Sequence, residues 1–219
     1  MLKIDKRYSW RFAFSLAVAL AIIVVRQIGL LSPIDAHVYS YFGSSESTAL
    51  KIFTETASLY SFSAIIALLL AYQFFKLRGF KQTLLDFISA FILSSILTLF
   101  IKYFTAVPRP GQPAVTNSLF SLLSDVYSFP SGHTSRSSVG AYYLSKKGKL
   151  WGVVSWIYVL LIAFSRIALG VHWFSDVIGG IAIGFLSGAT VDLLSPSLLE
   201  IYRVIFRKRV IRQQNIREK

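Results

Sequence analysis

The sequence predicts an all-α membrane protein: a bundle of six transmembrane helices with both termini cytoplasmic. Three observations predict it. Five apolar stretches each approach the roughly 20 residues needed to cross a hydrocarbon core of about 30 Å. The Lys and Arg residues gather in four segments that share one side only when a sixth, weaker crossing is counted. The composition is 54% hydrophobic and 15% charged, with a mean hydropathy of +0.59, which excludes an ordinary soluble globule and a disordered chain.

In order, the crossings are predicted at about residues 10–31, 52–75, 83–104, 132–145, 150–169 and 173–194. The first follows Lys3, Lys6 and Arg7 as a signal peptide would. It is too long for one, carries Arg26 and lacks a small-x-small cleavage site, so it reads as a retained span. Residues 32–50, polar and aromatic, suggest an interfacial element on the outer side. The fourth crossing, GHTSRSSVGAYYLS, is short and polar. It can cross only if neighbouring helices shield it, because backbone facing lipid must satisfy its own hydrogen bonds. Charge placement requires it nonetheless. Lys3, Lys6, Arg7 and Arg11 form one basic cluster, Lys76, Arg78 and Lys81 a second, Lys146, Lys147 and Lys149 a third, and seven residues from Arg203 to Lys219 a fourth. Six crossings put all four clusters on the cytoplasmic side, as the positive-inside rule demands. In the last crossing Gly180, Gly184 and Gly188 form a small-xxx-small stripe for close helix packing, within the bundle or across a homodimer.

Residues 1–219 read as a single domain, without a long internal repeat, low-complexity tract or linker. The net charge of +13 is topogenic and lipid-facing. The basic cytoplasmic tail, about 195–219, reads as an amphipathic helix on anionic headgroups. No basic patch interleaved with aromatics supports nucleic-acid binding. The absence of cysteine removes disulfide scaffolds, thiolate zinc sites and cysteine nucleophiles, and no carboxylate cluster offers a metal site. The longest segment between crossings, about 105–131, lies on the outer side, and a loop of that length in a compact bundle is usually functional.

Six bases lie outside the clusters: Arg26, Lys51, Lys102, Arg109, Arg136 and Arg166. Lys102 ends the third crossing, Arg109 follows in the loop, and Arg166 sits one turn from the outer end of the fifth. Charges at that depth are expensive and mark function. His133 and His172 share the layer. Cations there call for an anion, and phosphate is the natural candidate. Pro130, Ser131 and Gly132 lead into the fourth crossing, where backbone N–H groups at a helix start form an anion cradle with His133 in the first turn. Asp176 follows His172 by four residues, which places the two on one helix face. A carboxylate bonded to one ring nitrogen fixes the tautomer and leaves the other nitrogen as a nucleophile, with His133 as general acid. These residues specify phosphoryl transfer without a metal. Two further groups, Glu55 and Arg136, are each expected about one turn below the outer edge. They would pair with each other, or Arg136 would reach the substrate headgroup. Ser165 reads as structural and His37 as an outer-loop residue without catalytic duty.

Lys102-x6-Arg109-Pro110, Pro130-Ser131-Gly132-His133 and Ser165-Arg166-x5-His172-x3-Asp176 resemble the three signature motifs of the type 2 phosphatidic acid phosphatase family. This lipid phosphate phosphatase superfamily includes bacterial phosphatidylglycerophosphate and undecaprenyl pyrophosphate phosphatases, and soluble vanadium haloperoxidases, which the apolar spans disfavour. The motifs occupy residues 102–176. The resemblance implies that Lys102, Arg109 and Arg166 bind phosphate oxygens, with Ser131 and Gly132 completing the cradle. It implies that His172 forms a phosphohistidine, that Asp176 orients it, and that His133 protonates the leaving group. No cofactor is expected. The implied substrate is a lipid phosphate or pyrophosphate at the non-cytoplasmic face of the cell membrane, a polyisoprenyl pyrophosphate first, phosphatidylglycerophosphate or phosphatidic acid second. A transporter or scaffold is the competing class, and the chain is expected as monomer or homodimer.

Overall fold

The computed structural model describes residues 2–43, 45–113, 126–207 and 209–211. A 3-10 turn, Lys6–Tyr8, leads into α1 (Ser9–Gln27). Next come α2 (Ser32–Phe42), α3 (Thr48–Glu55) and α4 (Leu59–Tyr72), the last prolonged by a π-helical turn, Gln73–Leu77. A two-residue strand β1 (Phe80–Lys81) precedes α5 (Gln82–Thr105). Then follow α6 (Gly132–Ser145), α7 (Lys149–Ala168), α8 (Phe174–Ile205) and the strand β2 (Val210–Ile211).

Among the described residues five helices are long and apolar enough to cross a membrane: Lys6–Gln27, Leu59–Leu77, Gln82–Thr105, Lys149–Ala168 and Phe174–Ile205. The 14-residue α6 is too short and polar to stand among them. It is enclosed instead, packed against α5, α7 and α8, with Thr134, Ser135, Ser137, Ser138, Val139, Ala141 and Tyr142 buried. Its polar side chains are satisfied inside the bundle. Ser137 and Ser138 donate to the carbonyls one turn back, and Ser135 shares a hydrogen bond with Ser94 of α5.

The glycine stripe makes this enclosure possible. A Cβ on Gly180 would stand 2.6 Å from the Ser131 carbonyl, and one on Gly184 would stand 2.4 Å from that of Ser135. The stripe therefore faces α6 within the bundle. Large apolar side chains such as Phe14, Leu68, Ile96, Phe100 and Leu160 point outwards, as a lipid-facing surface requires.

Three expectations need correction. The stretch 52–75 is not one helix: it divides after Glu55, and Ser58 starts α4 by accepting from the Ser61 N–H. The segment 32–50, expected as an interfacial element, contains α2 and the start of α3. The last helix does not stop at residue 194. It runs 32 residues to Ile205 through Pro196, and is braced where the N-terminal segment donates from Asp5 N to the Leu193 carbonyl. Residues 195–205 of the predicted tail are thus the end of α8. Val210 and Ile211 then pair in parallel with Phe80 and Lys81 rather than forming an amphipathic helix. Residues 212–219 of the tail and 114–125 of the long outer segment lie outside the described residues.

The two ends of the bundle differ. One gathers the basic clusters: Lys3 bonds Glu200 at 2.5 Å, Lys146 bonds Asp192 at 2.5 Å, and β1 meets β2. The other holds the end of α5, the start of α6, the end of α7 and the start of α8, where all the motif residues lie.

Candidate active site

His172 precedes α8 and is 2% exposed. Its Nδ1 lies 3.2 Å from Oδ2 of Asp176, a carboxylate with no exposed surface. The four-residue spacing works, though not as one helix face. Trp173 is the N-cap, so Asp176 at the third helical position reaches back to accept from the Trp173 N–H at 2.8 Å and meets His172 just outside the helix. Trp173 is held in turn by its indole N–H, which donates to the Pro108 carbonyl at 2.9 Å.

Ser131 caps α6 from a fully buried position, and its N–H donates to the Asp176 carbonyl at 2.9 Å. The starts of α6 and α8 are therefore tied together, which brings the second and third motifs into one site. Gly132 opens α6 beside the Arg136 guanidinium, 3.0 Å from where a Cβ would sit. His133 follows, and its buried Nε2 has no hydrogen-bond partner among the described residues.

Three cations complete the arrangement. Lys102, 3% exposed in the last turn of α5, donates to the Tyr127 carbonyl. Arg109 donates to the Val171 carbonyl at 2.9 Å, next to His172. Arg166, 8% exposed at the end of α7, reaches Oγ1 of Thr54 on α3 at 3.4 Å. Arg109 is placed by the pairing of residues 107–108 with 127–128, where Ser128 N donates to the Val107 carbonyl at 2.8 Å. Burial, with the positive charges of Arg166, Arg109 and Lys102, holds the His172 imidazole well below its usual pKa and therefore neutral. A neutral imidazole tied at Nδ1 to a carboxylate presents the Nε2 lone pair.

All eight sequence-derived positions, Lys102, Arg109, Ser131, Gly132, His133, Arg166, His172 and Asp176, thus lie at one end of the bundle. Ser165 is structural, donating to the Ile162 carbonyl at 2.7 Å. His37 lies on α2, exposed, rather than in a loop. The Glu55–Arg136 pair is not formed among the described residues: Arg136 Nε donates to the Ala57 carbonyl at 3.2 Å, and Glu55 is exposed at the end of α3. Thr54 and Asp35 were not legible as site neighbours. Nothing in the sequence placed the turns containing them beside the motifs.

The fold is thus a helical bundle with five helices long and apolar enough to cross a membrane, and one end of it sets a buried histidine–carboxylate pair among three cations. The chain belongs to the PAP2 superfamily, whose model matches residues 83–195. It is 31% identical over 140 residues to an undecaprenyl-diphosphatase of Sulfolobus acidocaldarius, covering 64% of each chain. It is also 31% identical over 107 residues to a lipid A 4'-phosphatase of Porphyromonas gingivalis, covering 46% of this chain and 45% of the relative. The chain thus spans less than two thirds of the length of these curated relatives. The crystal structure of a transmembrane PAP2-type phosphatidylglycerolphosphate phosphatase from Bacillus subtilis shares the fold, with a TM-score of 0.68 at 20% identity over 88% of this chain and 97% of that one.

Proposed function

We propose that the chain is a metal-independent membrane phosphatase that hydrolyses a lipid phosphate or pyrophosphate through a phosphohistidine. The observation that carries this reading is the buried His172–Asp176 bond beside Lys102, Arg109 and Arg166. Nε2 of His172 attacks phosphorus and the bond to the lipid-side oxygen breaks, with His133 giving that oxygen its proton. His133, now deprotonated, takes a proton from water, whose oxygen attacks the phosphohistidine and restores His172. Lys102, Arg109, Arg166 and the backbone at Ser131 and Gly132 stabilise charge on the equatorial oxygens in both steps.

A polyisoprenyl pyrophosphate is the favoured substrate, supported by the relative named as an undecaprenyl-diphosphatase. The whole chain acts as one domain that crosses the membrane six times, α6 included, with both termini inside and the site at the non-cytoplasmic face. The separation of the basic end from the site end supports that orientation. The basic residues after α8 face anionic lipid.

The test is acid-labile phosphoenzyme formation with radiolabelled undecaprenyl pyrophosphate or dioleoyl phosphatidic acid in EDTA. Wild type should trap label and turn over without added metal, and His172→Ala should do neither. Turnover by His172→Ala, or activity lost in EDTA and restored by magnesium, would overturn the mechanism.

A further inference from the structure

The first turn of α8 carries Asp176 and orients His172, yet a helix start has four backbone N–H groups without intrahelical acceptors and needs outside partners. One comes from α2. Asp35, 3% exposed, accepts from the Ser175 backbone N–H through Oδ1 at 2.8 Å and from the Ser175 hydroxyl through Oδ2 at 2.7 Å. Both carboxylate oxygens are thus spent on one residue 140 positions away, adjacent to Asp176. A buried carboxylate needs a counter-charge, and Arg26, in the last turn of α1, places Nε 3.7 Å from Oδ2. The contact is not isolated. Val38 of α2 packs against the buried cluster of Ala163, Ile167 and Val177, as Phe174 of α8 does, and the Tyr39 ring lies 5.5 Å from that of Trp173. Arg26 and Asp35 both fall outside the residues matched by the family model.

We propose that Asp35 is a positioning residue for the phosphatase site, with Arg26 as its counter-ion, and that α1 and α2 thereby set the geometry of His172. The inference rests on the reading of His172 as nucleophile. Asp35 touches no reacting atom: it fixes Ser175, Ser175 fixes the turn, and the turn holds the Asp176 carboxylate against His172 Nδ1. From the other side Ser131 N–H holds the Asp176 carbonyl. The charged groups around the imidazole are then Lys102 from α5, Arg109 from the following segment, His133 from α6, Arg166 from α7 and Asp176 from α8, with the Arg26–Asp35 pair from α1 and α2 acting on the Asp176 carboxylate behind it.

Asp35→Asn keeps the shape but can accept from only one Ser175 donor, and it leaves Arg26 as an uncompensated cation. With dioleoyl phosphatidic acid in micelles, kcat per folded molecule should fall about 10- to 100-fold with KM little changed, as expected for a small misplacement of a reacting group. The added positive field disfavours imidazolium, so the acidic limb of the kcat–pH profile should move to lower pH. Adding Arg26→Gln should return the limb to its wild-type position without restoring kcat. A merely structural role would lower the folded fraction and leave both readouts where they were. Wild-type kcat per folded molecule with an unmoved limb overturns the proposal. Should Asp35→Asn not fold, Ser175→Ala decides. It deletes only the hydroxyl contact, so a lower kcat at unchanged KM sustains the proposal and an unchanged kcat overturns it. Turnover by His172→Ala would instead strike the nucleophile assignment, a result distinct from a silent Asp35→Asn.

Discussion

Oδ2 of Asp176 accepts two hydrogen bonds, from the Trp173 N–H at 2.8 Å and from His172 Nδ1 at 3.2 Å. The bond that starts α8 and the bond that orients the imidazole end on one oxygen, so helix capping and tautomer control are one feature. Asp176→Asn should preserve the cap, because an amide oxygen still accepts from Trp173. It should favour the wrong His172 tautomer, an error that lowers kcat about 10⁴-fold in a Ser-His-Asp triad. Phosphate release should fall by that order while thermal unfolding moves little. A rate near wild type would mean that the carboxylate does not govern the tautomer.

The cations make a graded prediction. Replacing Arg166 or Arg109 by a neutral residue removes transition-state charge stabilisation, expected to cost about 2.7–4 kcal/mol, or roughly 10²–10³ in kcat. Lys102→Met should lose similar activity and also stability, because the buried Tyr127 carbonyl forfeits its donor. Arg166→Lys should not rescue, since a point charge lacks the planar fork. Steady-state kinetics on the purified variants measure all four.

His133 has a buried Nε2 that no described residue satisfies, which suits a group that acts on the leaving oxygen. A pyrophosphate expels a better leaving group than a lipid alkoxide, so it needs the acid less. His133→Ala should therefore slow phosphatidic acid hydrolysis more than polyisoprenyl pyrophosphate hydrolysis. Equal losses on the two substrates would remove His133 from leaving-group protonation.

Much of the site was legible because its chemistry is local in sequence: PSGH is a helix start, and His172-x3-Asp176 is a capping turn. What was not legible is tertiary. The partition of 52–75 into α3 and α4 depends on Ser58 as a cap, weak against a long apolar run, and it carries Thr54 to Arg166. The extension of α8 past Pro196 depends on the N-terminal segment that braces it. Glu55 and Arg136 were matched by depth alone, and depth does not fix azimuth: Arg136 turns to the Ala57 carbonyl. Asp35 and Ser175 meet across 140 residues, a pairing no local pattern encodes.

The imidazole of His172 is held neutral, first by burial and then by the neighbouring cations. In the unfolded chain it protonates near pH 6.5, so below that value the unfolded state binds more protons and stability falls with pH. The limiting slope is about 1.4 kcal/mol per pH unit for one such group. Denaturant titrations from pH 7 to pH 5 should show this loss, and His172→Gln should make the slope shallower by that amount. An unchanged slope in the variant would contradict a neutral, buried His172.

The glycine stripe can be tested at two positions that differ in what a methyl would meet. At Gly184 it would meet the Ser135 carbonyl at 2.4 Å, backbone that cannot turn away. At Gly188 it would meet the Tyr142 ring at 2.5 Å, a side chain that can shift only by loosening its hydroxyl bond to Asp192, 2.6 Å long. Gly184→Ala should lose about 1–3 kcal/mol or more through overpacking, and Gly188→Ala less. Because α6 carries Ser131, Gly132 and His133, Gly184→Ala should also lose activity. Equal stability of both variants would indicate that α6 and α8 are not packed this closely.

The proposed orientation turns on α6, which is too short to cross alone and is enclosed by α5, α7 and α8. If it crosses with them, Gln112 near the site and Lys147 after α6 lie on opposite sides of the membrane. Both are exposed, and the parent chain has no cysteine, so Gln112→Cys and Lys147→Cys report cleanly. In intact bacterial cells a membrane-impermeant maleimide should label position 112 and reach position 147 only after permeabilisation. That result joins the site to the outer face and the basic clusters to the inner one. Labelling of both positions in intact cells would reduce the crossings to five and detach α6 from the membrane. The buried serines of α6 would then face an aqueous compartment across the bundle end, and the positive-inside pattern would be broken by Lys146, Lys147 and Lys149.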